Sequence, residues 1–408
     1  MSYRTVVKKY YCPFLGSSAQ ILLVILVIFI LLSQSLVDSN SFEMLSRDNG
    51  HGGLNLSNGR RSQKNANSRN RAVNNEGKCL YDEETYDIGT GFKINCNLCI
   101  CQDKEFKCKS RVCLIRPEII KEINNSNKGW KASNYSDFWG LTLAEGKKYK
   151  LGTLHISSSL LRTHNVGLTL GENEILEESF DSRKKWGPYI NPIRNQLNCS
   201  SSWAISAADV AGDRSGIIGL RKGLTTLSPQ YLISCNKGRG KQKGCQGGHI
   251  DIGKDTECRN KKSPSISENV DCLKNQSHFL KFTPPYKVSK NERSIRIEIL
   301  LNGPVQATMV VRQDLFVYKS GIYTCPKVEE MAKNSESSAK NAPNSNYHSV
   351  RILGWGQLDT SPYTKYWIVA NSWGQQWGES GTFRIVRGHN ECEIENCIIG
   401  IWPSKNNI

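Results

Sequence analysis

The cysteines of this chain constrain its fold more than any other residue type. Of the fifteen, Cys12 precedes the first apolar segment, and the other fourteen fall into two blocks. Six lie between Cys79 and Cys113, and eight lie between Cys199 and Cys397. Each block holds an even number, as complete pairing into disulfides requires. The sequence therefore predicts two disulfide-stabilised units in an oxidising compartment.

The N-terminal segment indicates the same compartment. The basic residues Arg4, Lys8 and Lys9 precede an uninterrupted apolar run from Ile21 to Leu32. This order is typical of an export signal, and the run is shorter than the roughly 20 residues that a membrane-spanning helix needs. Residues 1–37 are therefore interpreted as a signal peptide, with a signal anchor as the alternative. The first predicts an extracellular, matrix-associated protein and the second a type II membrane protein, and both place the rest of the chain outside the cytosol.

The next two segments differ sharply in composition. Residues 38–77 are rich in Asn, Ser, Gly and Arg, so they are expected to form a flexible linker. Residues 79–113 are too few to be stabilised by core burial alone and would need about three disulfides. The spacing of Cys96 and Cys99 would suit zinc, but the additional Cys101 and the oxidising compartment favour disulfides. The cysteines of this unit are Cys79, Cys96, Cys99, Cys101, Cys108 and Cys113. Their spacing resembles the von Willebrand factor type C module, which implies binding to partner proteins.

The formal net charge of +17 narrows the classes of partner. Outside the cytosol, an acidic polysaccharide or an anionic cell surface explains this charge better than nucleic acid does. An ordinary soluble basic surface explains it equally well. Sequons in such a compartment are glycosylation candidates, and they lie at Asn55, Asn124, Asn134 and Asn275. A fifth sequon, at Asn198, is expected to be buried.

Three separated motifs point to one kind of site. They are Gln196-Leu197-Asn198-Cys199-Ser200-Ser201-Ser202-Trp203, Tyr347-His348-Ser349 and Asn371-Ser372-Trp373-Gly374. In this order they resemble the papain-like cysteine proteases. Residues 114–175 and 176–402 resemble the propeptide and the mature domain of the cathepsin B branch. The implied fold class is α+β, with a helical lobe and a β-barrel-like lobe. A helical pattern at 117–123 and strand-like runs at 366–370 and 382–386 fit this architecture.

The resemblance implies a role for each motif residue. Ser202 stands where the family has its nucleophilic cysteine, and His348 is the expected base. Asn371 would orient the imidazole, and Trp373 would cover the hydrogen bond between them. Gln196 would form the oxyanion hole together with the backbone N–H of Ser202.

The resemblance also assigns residues around the motif. Cys199 is expected to pair with Cys245 rather than to act as a substitute nucleophile. Gly247 and Gly248 are expected to line a cleft that still holds extended peptides weakly, as an added strand. Ser200 stands where the family usually has glycine, so its side chain is expected to crowd the site.

Serine at position 202 changes the chemistry of the site. A thiol pKa near 8.5 falls to about 3–4 beside a histidine at a helix N-terminus, which creates a thiolate. A hydroxyl cannot form such an ion pair at neutral pH. It needs a base aligned to its C–O bond, which is shorter than the C–S bond of cysteine. The sequence therefore predicts an inactive homologue. A weakly active peptidase that uses Ser202 and His348 is the alternative, and neither reading requires a cofactor or a metal.

The combination of a cysteine-rich module, a cathepsin-type domain and serine at position 202 resembles the tubulointerstitial nephritis antigen family. The resemblance implies a non-catalytic protein that binds matrix or cell-surface proteins, with membrane contact only through an uncleaved anchor. Two segments depart from the pattern. Residues 249–257 stand where the family usually has a longer aromatic-rich helix. Loss of that helix would expose apolar surface or require repacking, and the alternative is a fault in the gene prediction. Residues 327–346 are expected to form a loop at the cleft rim. His278 is interpreted as an ordinary surface residue.

Overall fold

The computed structural model of this chain describes residues 78–81, 83–154, 165–166, 175–220, 223–235, 242–250, 280, 282–326, 346–358 and 365–404. All of them belong to one compact unit, Asn74–Ile408. The predicted export segment and linker, with Asn55, lie outside these residues, as do Asn275, His278 and residues 251–257 and 327–345. Within the described ranges, no helix has the length and apolar character to cross a membrane.

The cysteine-rich unit folds as two small antiparallel sheets that disulfides hold together. Its strands are β1 (Lys78–Tyr81), β2 (Glu84–Asp87), β3 (Gly91–Ile94), β4 (Asn97–Gln102) and β5 (Glu105–Cys108). The disulfides are Cys79–Cys101, Cys96–Cys113 and Cys99–Cys108. The predicted disulfide framework is therefore confirmed. Since Cys79 and Cys101 are 22 residues apart, their bond alone stabilises the fold by about 3 kcal/mol in the chain-entropy view.

The segment that follows connects this unit to the larger domain. It contains α1 (Pro117–Asn125), β6 (Trp130–Ala132) and α2 (Leu143–Lys150). The helix predicted at 117–123 is confirmed and extends to Asn125, where the backbone of Ser126 turns to an extended conformation and its N–H caps the carbonyl of Glu122. α2 begins with a capping box, in which Thr142 accepts from the backbone N–H of Glu145 and the Glu145 carboxylate accepts from that of Thr142.

The larger domain has a helical lobe centred on one long buried helix. The helices of the larger domain are α3 (Ser182–Trp186), α4 (Ser202–Ile217), α5 (Pro229–Cys235) and α6 (Glu292–Asn302), with 3₁₀ turns at Gly187–Tyr189, Gln313–Val317 and Glu391–Glu393. The small residues of α4 allow neighbouring backbone to approach closely. A Cβ at Gly212 would lie only 2.4 Å from the carbonyl oxygen of Thr225.

The second lobe is built on a ten-stranded sheet with the strand order β6-β11-β14-β13-β12-β10-β15-β9-β7, and β8 pairs with β12. Its strands beyond β6 are β7 (Asn165–Val166), β8 (Phe180–Asp181), β9 (Tyr286–Val288), β10 (Val305–Val310), β11 (Tyr318–Tyr323), β12 (Tyr347–Gln357), β13 (Lys365–Ala370), β14 (Thr382–Val386) and β15 (Ile398–Gly400). The strands predicted at 366–370 and 382–386 are confirmed as β13 and β14. The predicted α+β architecture is confirmed as well.

One hydrophobic core joins the connecting segment to the larger domain. The Phe138 ring packs edge-on against Phe316 and Trp373, with centroids 5.7 Å and 5.6 Å away. Trp130 of β6 stacks on Tyr318 of β11, and these two strands are paired. Residues 114–151 are therefore part of the packed interior rather than an appendage on its surface.

Candidate active-site cleft

Ser202 is the first residue of α4, and its side chain is fully buried. The loop before the helix is held by the Cys199–Cys245 disulfide. The backbone N–H of Ser200 donates to the carbonyl of Cys245 at 3.2 Å, which adds a second tie between the same loops. The Ser202 hydroxyl therefore lies at a helix N-terminus, where the helix dipole would favour negative charge.

β12 brings His348 to the same place and is clamped to α4 by a buried ion pair. His348 lies opposite Met309 of β10. Three residues further on, Arg351 donates from Nη1 to Asp213 Oδ2 at 2.6 Å. Burial opposes the charged guanidinium, but Asp213 and Asp209 raise the pKa of Arg351. This clamp holds His348 in register with the start of α4.

The His348 imidazole is neutral and oriented by Asn371. His348 Nε2 lies 2.8 Å from Asn371 Oδ1, which also accepts from the backbone N–H of Ser372 at 2.8 Å. Because this oxygen is an acceptor, Nε2 carries the proton and Nδ1 holds a lone pair. Nδ1 has no hydrogen-bond partner among the described residues. Burial lowers the pKa of His348 to about 4, although the bond to Asn371 partly opposes this. The Trp373 ring covers the pair, with its centroid 5.1 Å from that of His348.

The Ser202 hydroxyl does not engage the imidazole. It accepts from the backbone N–H of Ser349 at 3.3 Å and lies 3.2 Å from the Thr153 hydroxyl. Thr153 in turn lies 2.7 Å from the Ser349 hydroxyl. Activation of a serine nucleophile requires a hydrogen bond to its base. Over the described part of the chain, no such bond joins Ser202 to His348.

Gln196, the expected oxyanion donor, is already bonded within the chain. Its Nε2 donates to the carbonyls of Cys199 at 2.9 Å, Leu151 at 3.0 Å and Tyr149 at 3.2 Å. Its Oε1 accepts from the Ser372 hydroxyl at 2.7 Å. The amide therefore has no N–H directed to a developing oxyanion.

The cleft is filled by residues 148–154, which we call the cleft segment. The N–H of Gly248 donates to the carbonyl of Gly152, and the N–H of Leu154 donates to the carbonyl of Gly248, both at 2.9 Å. Gly247 also lies against the cleft segment, since a Cβ on this residue would be 3.0 Å from the carbonyl oxygen of Gly152. An open cleft that accepts extended peptides was expected, but the strand-pairing groups of Gly248 are occupied by the chain itself.

Sequence reasoning gave no role to several residues of this site, including Ser349, which lies within one of the motifs. Thr153 and Ser349 contact Ser202, and Lys150 is buried with its Nζ bonded to the carbonyl of Leu197 at 3.0 Å. The one available signal was the propeptide-like character of residues 114–175. Asn198, expected to be buried, is exposed, although its Oδ1 accepts from Lys150 Nζ at 3.4 Å.

Comparison with known proteins decides the family. The model of the papain family of cysteine proteases matches residues 176–401. Tubulointerstitial nephritis antigen from Homo sapiens is 39% identical, over 79% of this chain and 73% of its own length. This chain belongs to the tubulointerstitial nephritis antigen family of papain-like proteins. The family predicted from the motifs is thus confirmed.

More distant relatives of this tubulointerstitial nephritis antigen homologue are proteinases by name. Cathepsin B-like cysteine proteinase 4 from Caenorhabditis elegans is 31% identical, over 70% of this chain and 91% of its own. The solved structure of proCathepsin B S9 from Trypanosoma congolense matches with a TM-score of 0.55 and 28% identity. That match covers 72% of this chain and 99% of the procathepsin. The two-lobed fold is therefore that of the cathepsin B group.

Proposed function

We propose that this protein is a non-catalytic member of its family that is secreted or tethered at the cell surface. It acts by binding extracellular matrix or cell-surface partners. The observation that carries this proposal is the hydrogen bonding of Ser202, whose hydroxyl is bonded to Ser349 and Thr153 instead of to His348. A protein that retains the fold and fills its own cleft is suited to binding through other surfaces.

The charge state of the site supports the same proposal. A papain-like nucleophile works as half of an ion pair with a protonated imidazole. With a pKa of about 4, His348 is neutral at physiological pH. A serine hydroxyl with an unperturbed pKa far above 7 supplies no anion either, so neither half of the pair is formed.

The alternative is a weakly active peptidase that uses Ser202 and His348. One observation favours it: the imidazole is neutral, and the lone pair of its Nδ1 is not taken up by a donor among the described residues. The reaction would require the hydroxyl to leave Ser349 and the cleft segment to withdraw from Gly248. Each change breaks hydrogen bonds before any chemistry begins.

Purified protein is expected to show no peptide hydrolysis above that of a Ser202→Ala control. A fluorophosphonate probe is likewise expected to leave Ser202 unlabelled, because the base is not bonded to it. The measurement is turnover of a cathepsin-type fluorogenic peptide, with mass spectrometry of the peptide that carries residue 202. Turnover that disappears in the Ser202→Ala variant would establish the peptidase instead.

Recovery of the secreted protein from matrix tests the binding side of the proposal. The net charge of +17 predicts that soluble heparin and high salt both release it, since electrostatic contacts between exposed groups are screened. The Ser202→Ala variant is the matched control and should bind equally, because the cleft is filled. Unchanged retention in heparin and high salt would contradict a polyanion partner.

The sequons give a further prediction for an exported chain. The side-chain amide of Asn124 makes two hydrogen bonds with the backbone of Ala132, at 2.8 Å and 3.0 Å, whereas Asn134 is exposed. A glycan on Asn124 would remove one of its amide hydrogens and crowd β6. We expect mass spectrometry of the secreted protein to find a glycan on Asn134 and none on Asn124, and Asn134→Gln should remove that mass shift. A sugar on Asn124 in folded protein would contradict the expectation.

A further inference from the structure

The cleft segment begins in the last turn of α2 and continues beyond it. Side chains that line the cleft cap this C-terminal end of the helix. The last four carbonyls of a helix have no partner within the helix. Here the Ser200 hydroxyl donates to the carbonyl of Lys148, and Trp373 Nε1 donates to that of Lys150 at 2.7 Å. Gln196 Nε2 donates to the next carbonyl, that of Leu151, at 3.0 Å. Three side chains of the former catalytic site thus satisfy the C-terminus of α2.

Lys150 adds a hydrogen bond in which the cleft segment is the donor and the loop before α4 is the acceptor. Its side chain is 4% exposed, and its ammonium donates to the carbonyl of Leu197 at 3.0 Å. The ammonium also lies 5.4 Å from the centroid of the Phe138 ring, which provides a cation–π contact. A buried lysine is costly to leave unpaired, so these contacts oppose withdrawal of the segment.

The two serines that stand at unusual positions both bond to this segment. Glycine at position 200 could not donate a hydrogen bond to Lys148. Ser202 lies 3.2 Å from the hydroxyl of Thr153, within a cluster that also includes Ser349. Gly152 fits against the Ser200 backbone because it lacks a side chain: a Cβ there would be 2.3 Å from the carbonyl carbon of Ser200.

The geometry points to a permanently closed cleft, in which Ser200 and Ser202 act as binding residues for residues 148–154 of the same chain. This proposal deepens the proposed function, because it assigns the residues at the former catalytic site a role in holding the segment. It also directs the search for partners away from the cleft. The segment is a constant part of the folded protein rather than a removable inhibitor.

A thiol placed at position 202 reports whether the segment opens. In the full-length Ser202→Cys variant, we expect alkylation of Cys at position 202 by iodoacetamide to be at least about 100-fold slower in native protein than in denatured protein. The label is measured by mass spectrometry of the peptide that carries residue 202. Wild-type protein gives the background from its other cysteines.

A second substitution tests the hold of Ser200. Adding Ser200→Gly to Ser202→Cys is expected to speed the alkylation roughly 3- to 10-fold, since one hydrogen bond to the segment is lost. Adding Ser234→Gly, at an exposed position of α5, controls for general loosening and should leave the rate unchanged. Thr153→Val with Ser202→Cys provides a variant of nearly the same shape, and it should also speed the reaction.

Rapid labelling of native Ser202→Cys protein, within a few-fold of the denatured rate, would overturn the closed cleft. Equal rates with and without Ser200→Gly and Thr153→Val would overturn the role of the hydroxyls. Either result leaves the proposed lack of catalysis intact, because that is decided by turnover of the wild-type protein. Turnover by wild type would refute the proposed function whatever the labelling shows.

Discussion

Replacing Arg351 by Met is expected to lower the free energy of unfolding by about 3–5 kcal/mol, because it leaves the buried carboxylate of Asp213 without its ion-pair partner. The guanidinium is 3% exposed and is bonded to Asp213 Oδ2 at 2.6 Å, with Asp209 4.0 Å away. It also donates to the carbonyl of Asn191 at 2.8 Å. Methionine fills much of the space but offers none of these donors. Urea or guanidinium unfolding followed by intrinsic fluorescence measures the change.

Arg384→Met is the matched control. Arg384 pairs with Glu379 at 2.6 Å, but both side chains are 26% exposed, so water can replace the lost partner. The expected loss is at most about 1 kcal/mol. Equal losses for the two variants would mean that burial does not set the strength of the Arg351 clamp.

Lowering the pH is expected to destabilise the protein through His348 by about 3 kcal/mol in total. Burial holds the pKa of this imidazole at about 4, below the ordinary histidine value of about 6.5. The unfolded chain therefore binds more protons between these two values, so stability is complete above pH 6.5. It falls as the pH drops through this window towards 4. The measurement is the unfolding free energy at several pH values between 4 and 7.

The His348→Gln variant isolates this contribution, since glutamine does not titrate. Its own stability is expected to differ from that of wild type, but its dependence on pH between 4 and 6.5 should be flatter. Asp314, whose pKa burial raises to about 6, acts in the opposite sense, so the difference between the two proteins is the relevant quantity. His389→Gln, at an exposed position, should keep the wild-type slope. An unchanged slope in His348→Gln would show that His348 is not held neutral by burial.

Much of the site was predictable because its motifs are local. The family resemblance implies that residue 202 lies at a helix N-terminus, and the Asn371 motif follows directly after the strand-like run at 366–370. The side-chain partnership of His348 with Asn371 followed from the family resemblance, and the two lie 2.8 Å apart. The disulfide between Cys199 and Cys245 was likewise expected from the family resemblance, and the structure contains it.

The filling of the cleft was not predictable from those motifs. Thr153 is 49 residues from Ser202 and 196 from Ser349 in sequence, and unlike those two serines it lies in no motif. Their meeting depends on where α2 ends. At that end Trp373, which packs against Phe138, donates to the carbonyl of Lys150. Periodicity along one segment carries no information about such a contact.

The amino-acid sequence by itself determined the family, the presence but not the pairing of disulfides in the N-terminal unit, and serine in place of a thiol at position 202. Through the family resemblance it also determined the α+β architecture. Each of these depends on residue types at short or characteristic spacings. Only the tertiary structure decided what occupies the cleft and where the Ser202 hydroxyl is bonded. Those outcomes depend on atoms that are far apart in sequence and that only folding brings together. Differences of a few tenths of an ångström in the distance between donor and acceptor, and the burial of each group, then determine which hydrogen bond forms.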